Sequence, residues 1–445
     1  MKYPAYDRYK DSGVPWLGDI PEGWGVKRLK YLASFNDETL GDTTEPDMVI
    51  NYVDISSVDL ISGIKHVEEL IFEKSPSRAR RIVKDGDTII STVRTYLKAI
   101  APIRDPIENL IVSTGFAVIR PRDNLNPDFL GYCLQSEGFL GEVVAYSNGV
   151  SYPAINPTDL VGLPITAPPQ TEQKAIAAFL DEKTTEIDAL IAKKEDLLKA
   201  LAEKRTALIT HAVTKGLNPG AQMKESGIDW LGQIPAHWEV KPISTAVMKL
   251  ESGVSVNAMD VSKEDGQQGV LKTSAVFSGV FNAYENKTVY DESEKERLTC
   301  PVRMGELIIS RMNTPELVGA VGLVDENYTD LFLPDRLWQT IFWRNATASA
   351  PFLYYFLNSK LFRAIIASIA TGTSGSMQNI TQGDLMKMRI GMPPIDEQGK
   401  IVSYLRTELK TTSDAEMLVG AAISSLKEYR ASLITNAVTG KIKVV

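Results

Sequence analysis

This chain of 445 residues predicts two tandem copies of a mixed α/β domain, each closed by a long helix that pairs antiparallel with its twin. Three observations predict it. The segment DSGVPWLGDIPEGWGV from Asp11 returns as ESGIDWLGQIPAHWEV from Glu225. Strand-like runs rich in Val and Ile alternate with segments of helical spacing. Two Ala-, Leu-, Glu- and Lys-rich stretches carry an apolar stripe far longer than an ordinary helix needs.

The duplication is the firmest of these. Trp16 aligns with Trp230 and Trp24 with Trp238, an offset of 214 residues. GDTIIS from Gly86 matches GELIIS from Gly305, an offset of 219. YPAINPTDLVGLPITAPPQTEQ from Tyr152 matches MQNITQGDLMKMRIGMPPIDEQ from Met377, and ALITHAVTKG from Ala207 matches SLITNAVTGK from Ser432, both at 225. Four matches in one order, at an offset that grows slowly, describe a unit of about 220 residues copied once with small loop insertions. The boundaries that follow are a first globular domain over 1–165, a central helix within 166–216, a second domain over 217–390 and a distal helix within 391–445.

The helices come next. From Lys174 to Ile209 the chain holds neither Pro nor Gly. Ile187, Ile191, Leu198, Leu201 and Leu208 fall on one seam in steps of four and three, with Lys194 and Arg205 in its remaining places. Thr171 is placed to cap the start and Gly216 to end the helix. The second copy runs from Glu397 to about Val438, with Ile401, Leu405, Val419, Ile423, Leu426 and Leu433 on its apolar side. A stripe of that length must be covered, most simply by the other copy. Within each globular part, MVINYVDISSVD from Met48, DTIIST from Asp87 and AVIRP from Ala117 read as strands. NPDFLGYCLQSEGFLGEVVAY from Asn126 and ASAPFLYYFLNSKLFRAIIAS from Ala348 read as helices, each followed by a loop rich in Gly, Ser and Asn. The four tryptophans, in segments with Pro and Gly turns, read as packing residues.

Composition narrows the function. With 44% hydrophobic and 23% charged residues the chain is globular, and no apolar run is long enough for a membrane span, so a cytoplasmic protein is expected. Two cysteines and three histidines without helical spacing argue against a disulfide framework or a metal site of the chain's own. The net charge of −8 opposes phosphate binding on average, yet charge is segregated. Tyr31 to Glu73 holds ten acidic residues and one basic, whereas Lys74 to Lys98 holds seven basic and two acidic.

The order WLG-x-IP-x-x-W, GDxIIS, a glycine-rich loop, P-P-x-x-E-Q and a long helix, written twice, resembles the DNA-specificity subunit of type I restriction–modification systems. That resemblance covers essentially the whole chain. It implies two target recognition domains related by a pseudo-twofold axis, each reading one half of a bipartite, asymmetric site on double-stranded DNA. It implies spacer helices on which methylation subunits, two of them, dock, with restriction subunits attached through those. It also implies a subunit without catalytic residues, S-adenosylmethionine, ATP and Mg being used by the partners. Neither a phosphate-binding Gly-rich motif nor a Ser/His/Asp arrangement is found in the sequence, and APPQ at Ala167 reads as a stiff helix entry.

Arginine suits guanine and lysine suits phosphate, so the DNA-binding candidates of the first unit are Arg78, Arg80, Arg81, Lys84, Arg94 and Lys98, with Thr92 and Tyr96 beside them. In the second unit Arg297, Arg303, Arg311 and Asn313 align with them, but Glu294, Glu296, Glu306 and Glu316 dilute the charge, so amides and hydroxyls carry more of the reading there. The glycine-rich loops add Asn148, Ser151, Tyr152, Ser374, Ser376 and Gln378. Two alternatives stand beside this reading: the specificity subunit of a related one-partner methyltransferase–nuclease, and a duplicated coiled-coil adaptor that binds proteins rather than DNA.

Overall fold

A computed structural model describes residues 3–149, 151–374 and 377–444. The chain forms two compact units: Met1–Glu195 together with Gly420–Val445, and Asp196–Val419. Both divisions fall inside the long helices rather than at their ends.

Each unit repeats one topology. In the first, an antiparallel sheet runs in the order Ile100–Pro102, Thr88–Ser91, Phe116–Pro121, Ala33–Phe35. A second sheet runs Glu68–Ile71, Val49–Val53, Leu110–Ser113, Ala79–Ile82, its central pair parallel. In the second unit the same orders recur as Val321–Leu323, Leu307–Ser310, Leu337–Phe342, Val247–Glu251 and as Asn286–Val289, Gln268–Leu271, Tyr328–Phe332, Pro301–Val302. The central pair of that second sheet is again parallel. The three strands read from sequence in the first unit are present as Val49–Val53, Thr88–Ser91 and Phe116–Pro121.

The two segments of helical spacing each fold as a helix pair. Pro127–Gln135 and Glu137–Ala145 break at Ser136, which ends one helix and starts the next. Ala350–Leu357 and Lys360–Ile369 do the same across Asn358 and Ser359, and the Ser359 hydroxyl accepts from Phe362 N. Ser359 thus caps the helix it starts, whereas the Ser136 hydroxyl donates back to Cys133 O at 2.7 Å.

The long helices exceed their expected bounds. The first spans Gln170–Lys215, 46 residues or about 69 Å, and the second Ile395–Val438, 44 residues. Thr171 therefore lies inside the first turn rather than capping it. Pro168–Pro169 and Pro393–Pro394 immediately precede the starts, and proline suits a helix entry because it lacks a donor that would go unmet. Gly216 and Gly440 end the helices at φ +74° and +73°.

Within each unit the two helix segments run antiparallel. In the first, Asp188 pairs with Arg430 at 2.9 Å and Glu195 with Lys427 at 3.9 Å. Ile187, Ile191, Ile423 and Leu433 are buried and Leu426 is half-buried; Leu198 and Val419, also half-buried, belong to the second unit. Arg430, a seam residue absent from the predicted stripe, is only 8% exposed. In the second unit Ala212 and Val213 share one core with Ile401, Val402, Leu405, Trp238, Phe352 and Phe356, and Leu201 and Leu208 are half-buried.

The duplicated motifs meet at the helix ends. Trp24 Nε1 donates to Glu172 Oε2 at 2.9 Å, and Trp238 Nε1 to Glu397 Oε1 at 3.2 Å. Gln173 Nε2 donates to Pro168 O (3.0 Å) and its Oε1 accepts from Asn126 N (2.8 Å). Gln398 repeats this with Pro393 O (2.9 Å) and Ser349 N (2.8 Å). Trp24 and Trp238 are fully buried, as their packing role requires. The C-terminal segment also returns to the N-terminal motif: Thr166 Oγ1 donates to Val438 O at 2.6 Å and Lys443 N to Pro4 O at 2.7 Å.

A Cβ on Gly440 would stand 2.3 Å from Pro21 Cδ, whereas Gly232 (φ +60°) has nothing within 4 Å. Gly440→Ala thus combines left-handed strain with a collision and is expected to cost about 2–4 kcal/mol, against about 1–2 kcal/mol for Gly232→Ala. Urea denaturation of the two variants measures the difference, and equal losses would remove the Pro21 contact from the account.

Candidate nucleic-acid interface

Two regions read separately from the sequence form one surface in the first unit. After the strand Thr88–Ser91, Thr92 turns inward at 5% exposure. Its hydroxyl donates to Gly115 O at 2.9 Å and its carbonyl accepts from Ile155 N at 2.9 Å. Val93 bridges to Ala154, which exchanges two backbone hydrogen bonds of 2.9 Å with Asn148. The hydroxyls of Thr95 and Ser147 lie 2.8 Å apart. The glycine-rich loop is thereby held against the loop that follows TIIS.

Arg94 and Lys98, both at φ +50°, bracket the single 3-10 turn Thr95–Leu97. Left-handed backbone at two side-chain-bearing residues stores about 1 kcal/mol or more each. The result is that Arg94, Tyr96 and Lys98 are exposed together. The Arg94 guanidinium lies 4.9 Å from the Tyr152 ring centroid, so a fixed cation and an exposed aromatic ring form one flat pair. Ser151 and Asn148 are exposed beside them. Thr92 is the exception among the candidates here: it is buried, and it positions the loop.

The remaining basic candidates sit on the edge strand Ala79–Ile82 and its flanks, and two of them, Arg78 and Lys84, have their charge met inside the protein. Arg78 Nη2 pairs with Asp54 at 2.8 Å and its Nε donates to the Tyr52 hydroxyl at 3.2 Å. Together these hold its guanidinium above the usual range. Arg80 stacks 4.6 Å from the Phe72 ring centroid. Arg81 has a buried Nε with no hydrogen-bond partner, and desolvation lowers its pKa. Lys84 pairs with Glu38, which also meets Arg120 at 2.6 Å. The segregation of charge along the chain is thus undone in space, because Asp54 and Glu38 come from the acidic stretch. Arg78 stays near the exposed loop through Thr114 N, which donates to its carbonyl at 2.8 Å, next to the Gly115 that holds Thr92.

The second unit keeps the frame and changes the surface. Ile380 N donates to Arg311 O at 3.1 Å, as Ile155 N does to Thr92 O. Met312–Asn313 pairs with Met377–Asn379, which pairs with Thr371–Ser374, giving a three-stranded ribbon. Gly372 is required there, since a Cβ would stand 2.1 Å from Met377 O. Asn313 and Gln378 are register partners, and Asn379 Oδ1 is buried without a hydrogen-bond partner. Arg311 Nη1 donates to Asp335 O at 3.4 Å. Arg297 pairs with Glu294 at 2.5 Å and Arg303 with Glu251 at 2.9 Å, so both are neutralised. Ser374 lies on the ribbon strand, and Ser376 lies outside the described residues.

Sequence reasoning missed what supports GDxIIS. Asp87 is buried and takes both Arg120 Nε and Nη2 at 2.8 Å, a fork pair that fixes the strand carrying the loop. Its signal, an Arg in a strand that otherwise reads as buried, was present in AVIRP. In the second unit Glu306 occupies the aspartate's position and receives the Thr340 hydroxyl, at 2.8 Å, and a backbone hydrogen bond from Phe342. Among the described residues no three His, Cys, Asp or Glu side chains gather as a metal site, and no helix is long and apolar enough to cross a membrane.

A family model described as the type I restriction modification DNA specificity domain matches residues 21–200 and 260–416. The specificity subunit of the type I restriction enzyme EcoKI from Escherichia coli K12 is 23% identical, over 96% of this chain and 90% of its own. Two solved structures share the fold. One, described as the basis of complex assembly and conformational transition of the type I R-M system, has a TM-score of 0.73 at 22% identity and covers 94% of this chain and 98% of that one. The other, the HsdS subunit from Thermoanaerobacter tengcongensis, has a TM-score of 0.54 at 23% identity over 95% and 98%.

Burial raises the Glu306 carboxyl above its ordinary pKa, with Glu251 adding to the effect. A raised acid stabilises the fold fully at low pH and loses that contribution as pH rises through its folded value. Glu306→Gln keeps an acceptor for Thr340 and is expected to raise the melting temperature at pH 8 by about one or two degrees. The gain should vanish towards pH 4, and a gain independent of pH in thermal scans would contradict this assignment.

Proposed function

We propose, from the premise that this chain belongs to the type I restriction–modification DNA specificity family, that it is the DNA-reading subunit of such a system. Each unit reads one half of a bipartite, asymmetric site on double-stranded DNA. One observation carries the reading: a single scaffold, built twice with the same strand orders, presents two different tips. In the first unit the tip is a cation-and-aromatic surface of Arg94, Tyr96, Lys98 and Tyr152, and in the second an amide-bearing ribbon of Asn313 and Gln378. Arginine pairs bidentately with guanine, and Asn or Gln with adenine, so the two tips suit different half-sites. A homodimer with one tip would read a palindrome.

On this reading the chain itself carries no catalytic residues and needs no cofactor. Methylation subunits, two per chain, dock on the long helices, and restriction subunits join through them. S-adenosylmethionine, ATP and Mg are used in those partners. Arg78, Arg80, Arg81 and Lys84 contribute phosphate contacts from the strand edge, with Arg297, Arg303 and Arg311 in the second unit. Internal ion pairs weaken that contribution at Arg78, Lys84, Arg297 and Arg303. The exposed loop residues, with Asn148, Ser151, Ser374 and Ser376, carry the base reading.

The test is selection from a duplex library by the assembled complex, followed by titration in rising salt. Affinity should fall with a log–log slope of about −0.9 per phosphate contact. Arg94→Ala combined with Tyr152→Ala should relax selection in one half-site and cost about 1–3 kcal/mol there. Equal relaxation in both halves, or a flat salt response, would contradict the two-reader assignment.

A further inference from the structure

The two units contain the same cleft, its charges paired in the first and cationic in the second. In the first unit a cavity of about 260 Å³ is lined by Leu60–Gly63, Tyr132, Asp181 and Arg430. Every charge there is met. Arg430 pairs with Asp188 at 2.9 Å, the Tyr132 hydroxyl donates to Asp181 at 2.7 Å, and Arg104 pairs with Asp128. The equivalent cleft of the second unit, about 510 Å³, is lined by Arg205, Ser278, Tyr354, Tyr355, Asn358 and Lys360.

The correspondence is residue by residue. At the helix offset of 225, Arg205 stands for Arg430, Ser413 for Asp188 and Arg406 for Asp181. Tyr355 and Lys360 stand for Tyr132 and Glu137 in the preceding helices, at an offset of 223. Three carboxylates have therefore become a hydroxyl and two cations, while the seam arginine has stayed. Among the described residues, Arg205, Lys360 and Arg406 make no ion pair. The charged side chains that act on the Tyr354 and Tyr355 hydroxyls are Arg205 and Arg406 alone, whereas Asp181 opposes Arg430 at Tyr132.

Beside this cleft lies a mostly apolar groove of about 720 Å³, lined by Ala202, Ala207, Leu361 and Ala364 with the carboxylate of Glu203 among them, and sharing Thr206 and Lys360 with the cleft. Both lie wholly within the second unit. A small oxyanion would satisfy the cations but leave the groove open. A stretch of polypeptide bearing both carboxylates and apolar side chains satisfies both.

We propose that this cationic cleft and its apolar flank are the docking site of an acidic, partly apolar segment of a protein partner, one of whose carboxylates takes on Arg205 the place that Asp188 takes on Arg430. The proposal is independent of DNA reading. The probe is a short fluorescein-labelled peptide of alternating glutamate and leucine pairs, titrated into the full chain by fluorescence anisotropy. Arg205→Gln removes the cation, and Ser413→Asp supplies the carboxylate that the first unit has. Each variant should weaken peptide binding about tenfold or more while leaving duplex binding unchanged. Ser413→Asp should in addition raise the melting temperature, which a misfolded variant would not. Absence of peptide binding, binding unaffected by both substitutions, or displacement by inorganic phosphate at constant ionic strength would each overturn the proposal.

Discussion

A half-buried glutamate followed by a buried glutamine at the start of each long helix sets the geometry of everything attached to it. Glu172 receives the indole of Trp24 and the Tyr6 hydroxyl, while Glu397 receives Trp238 and stands 2.7 Å from His237 Nε2. The neighbouring glutamines, Gln173 and Gln398, tie the preceding prolines to the start of a domain helix. A carboxylate at a helix N-terminus is favoured by the unmet backbone donors there. An indole whose donor is buried needs an acceptor. Each group thus satisfies the other's cost of burial, and the helix, the entry motif and the domain are fixed to one another by side chains that cannot be exchanged singly.

The recognition loops are held by the opposite strategy. Ile155 N to Thr92 O in one unit, and Ile380 N to Arg311 O in the other, are backbone hydrogen bonds. They place no demand on side-chain identity, so Thr92 and Arg311 can differ while the frame persists. Deeper support also differs, Asp87 taking a fork pair with Arg120 where Glu306 takes the Thr340 hydroxyl and the Phe342 backbone. A frame held by main chain can carry unrelated surfaces, and the difference between a cationic stack and an amide ribbon follows from that freedom.

Much of this architecture was legible in the sequence because its signals are local and repeated. The offsets of matching segments implied two like folds, and steps of four and three along Ile187, Ile191 and Leu198 implied a paired helix. The helix starts were misjudged, although the ends at Gly216 and Val438 were read correctly, because Thr171 is a good cap in isolation, whereas the helix already begins straight after Pro168–Pro169. Arg430 was missed because a charge on an apolar stripe reads as an interruption until Asp188 is seen opposite. The basic stretch from Lys74 to Lys98 misled for the same reason. Its partners Asp54 and Glu38 lie in a different segment, and pairing between distant segments leaves no trace in a local count. That the glycine-rich loop would meet the loop after TIIS was likewise invisible, since no periodicity encodes which two loops share a sheet edge.

The first unit takes its last segment, Gly420–Val445, from beyond the whole of the second. Val438 O and Lys443 N complete hydrogen bonds to Thr166 and Pro4, residues made hundreds of codons earlier. On the ribosome, the portion synthesised first therefore closes last, after the contiguous stretch Asp196–Val419 has everything it needs. Birth order and completion order are inverted, and the first-made portion must wait, with an unfilled helix groove, until Gly420–Val445 has been made.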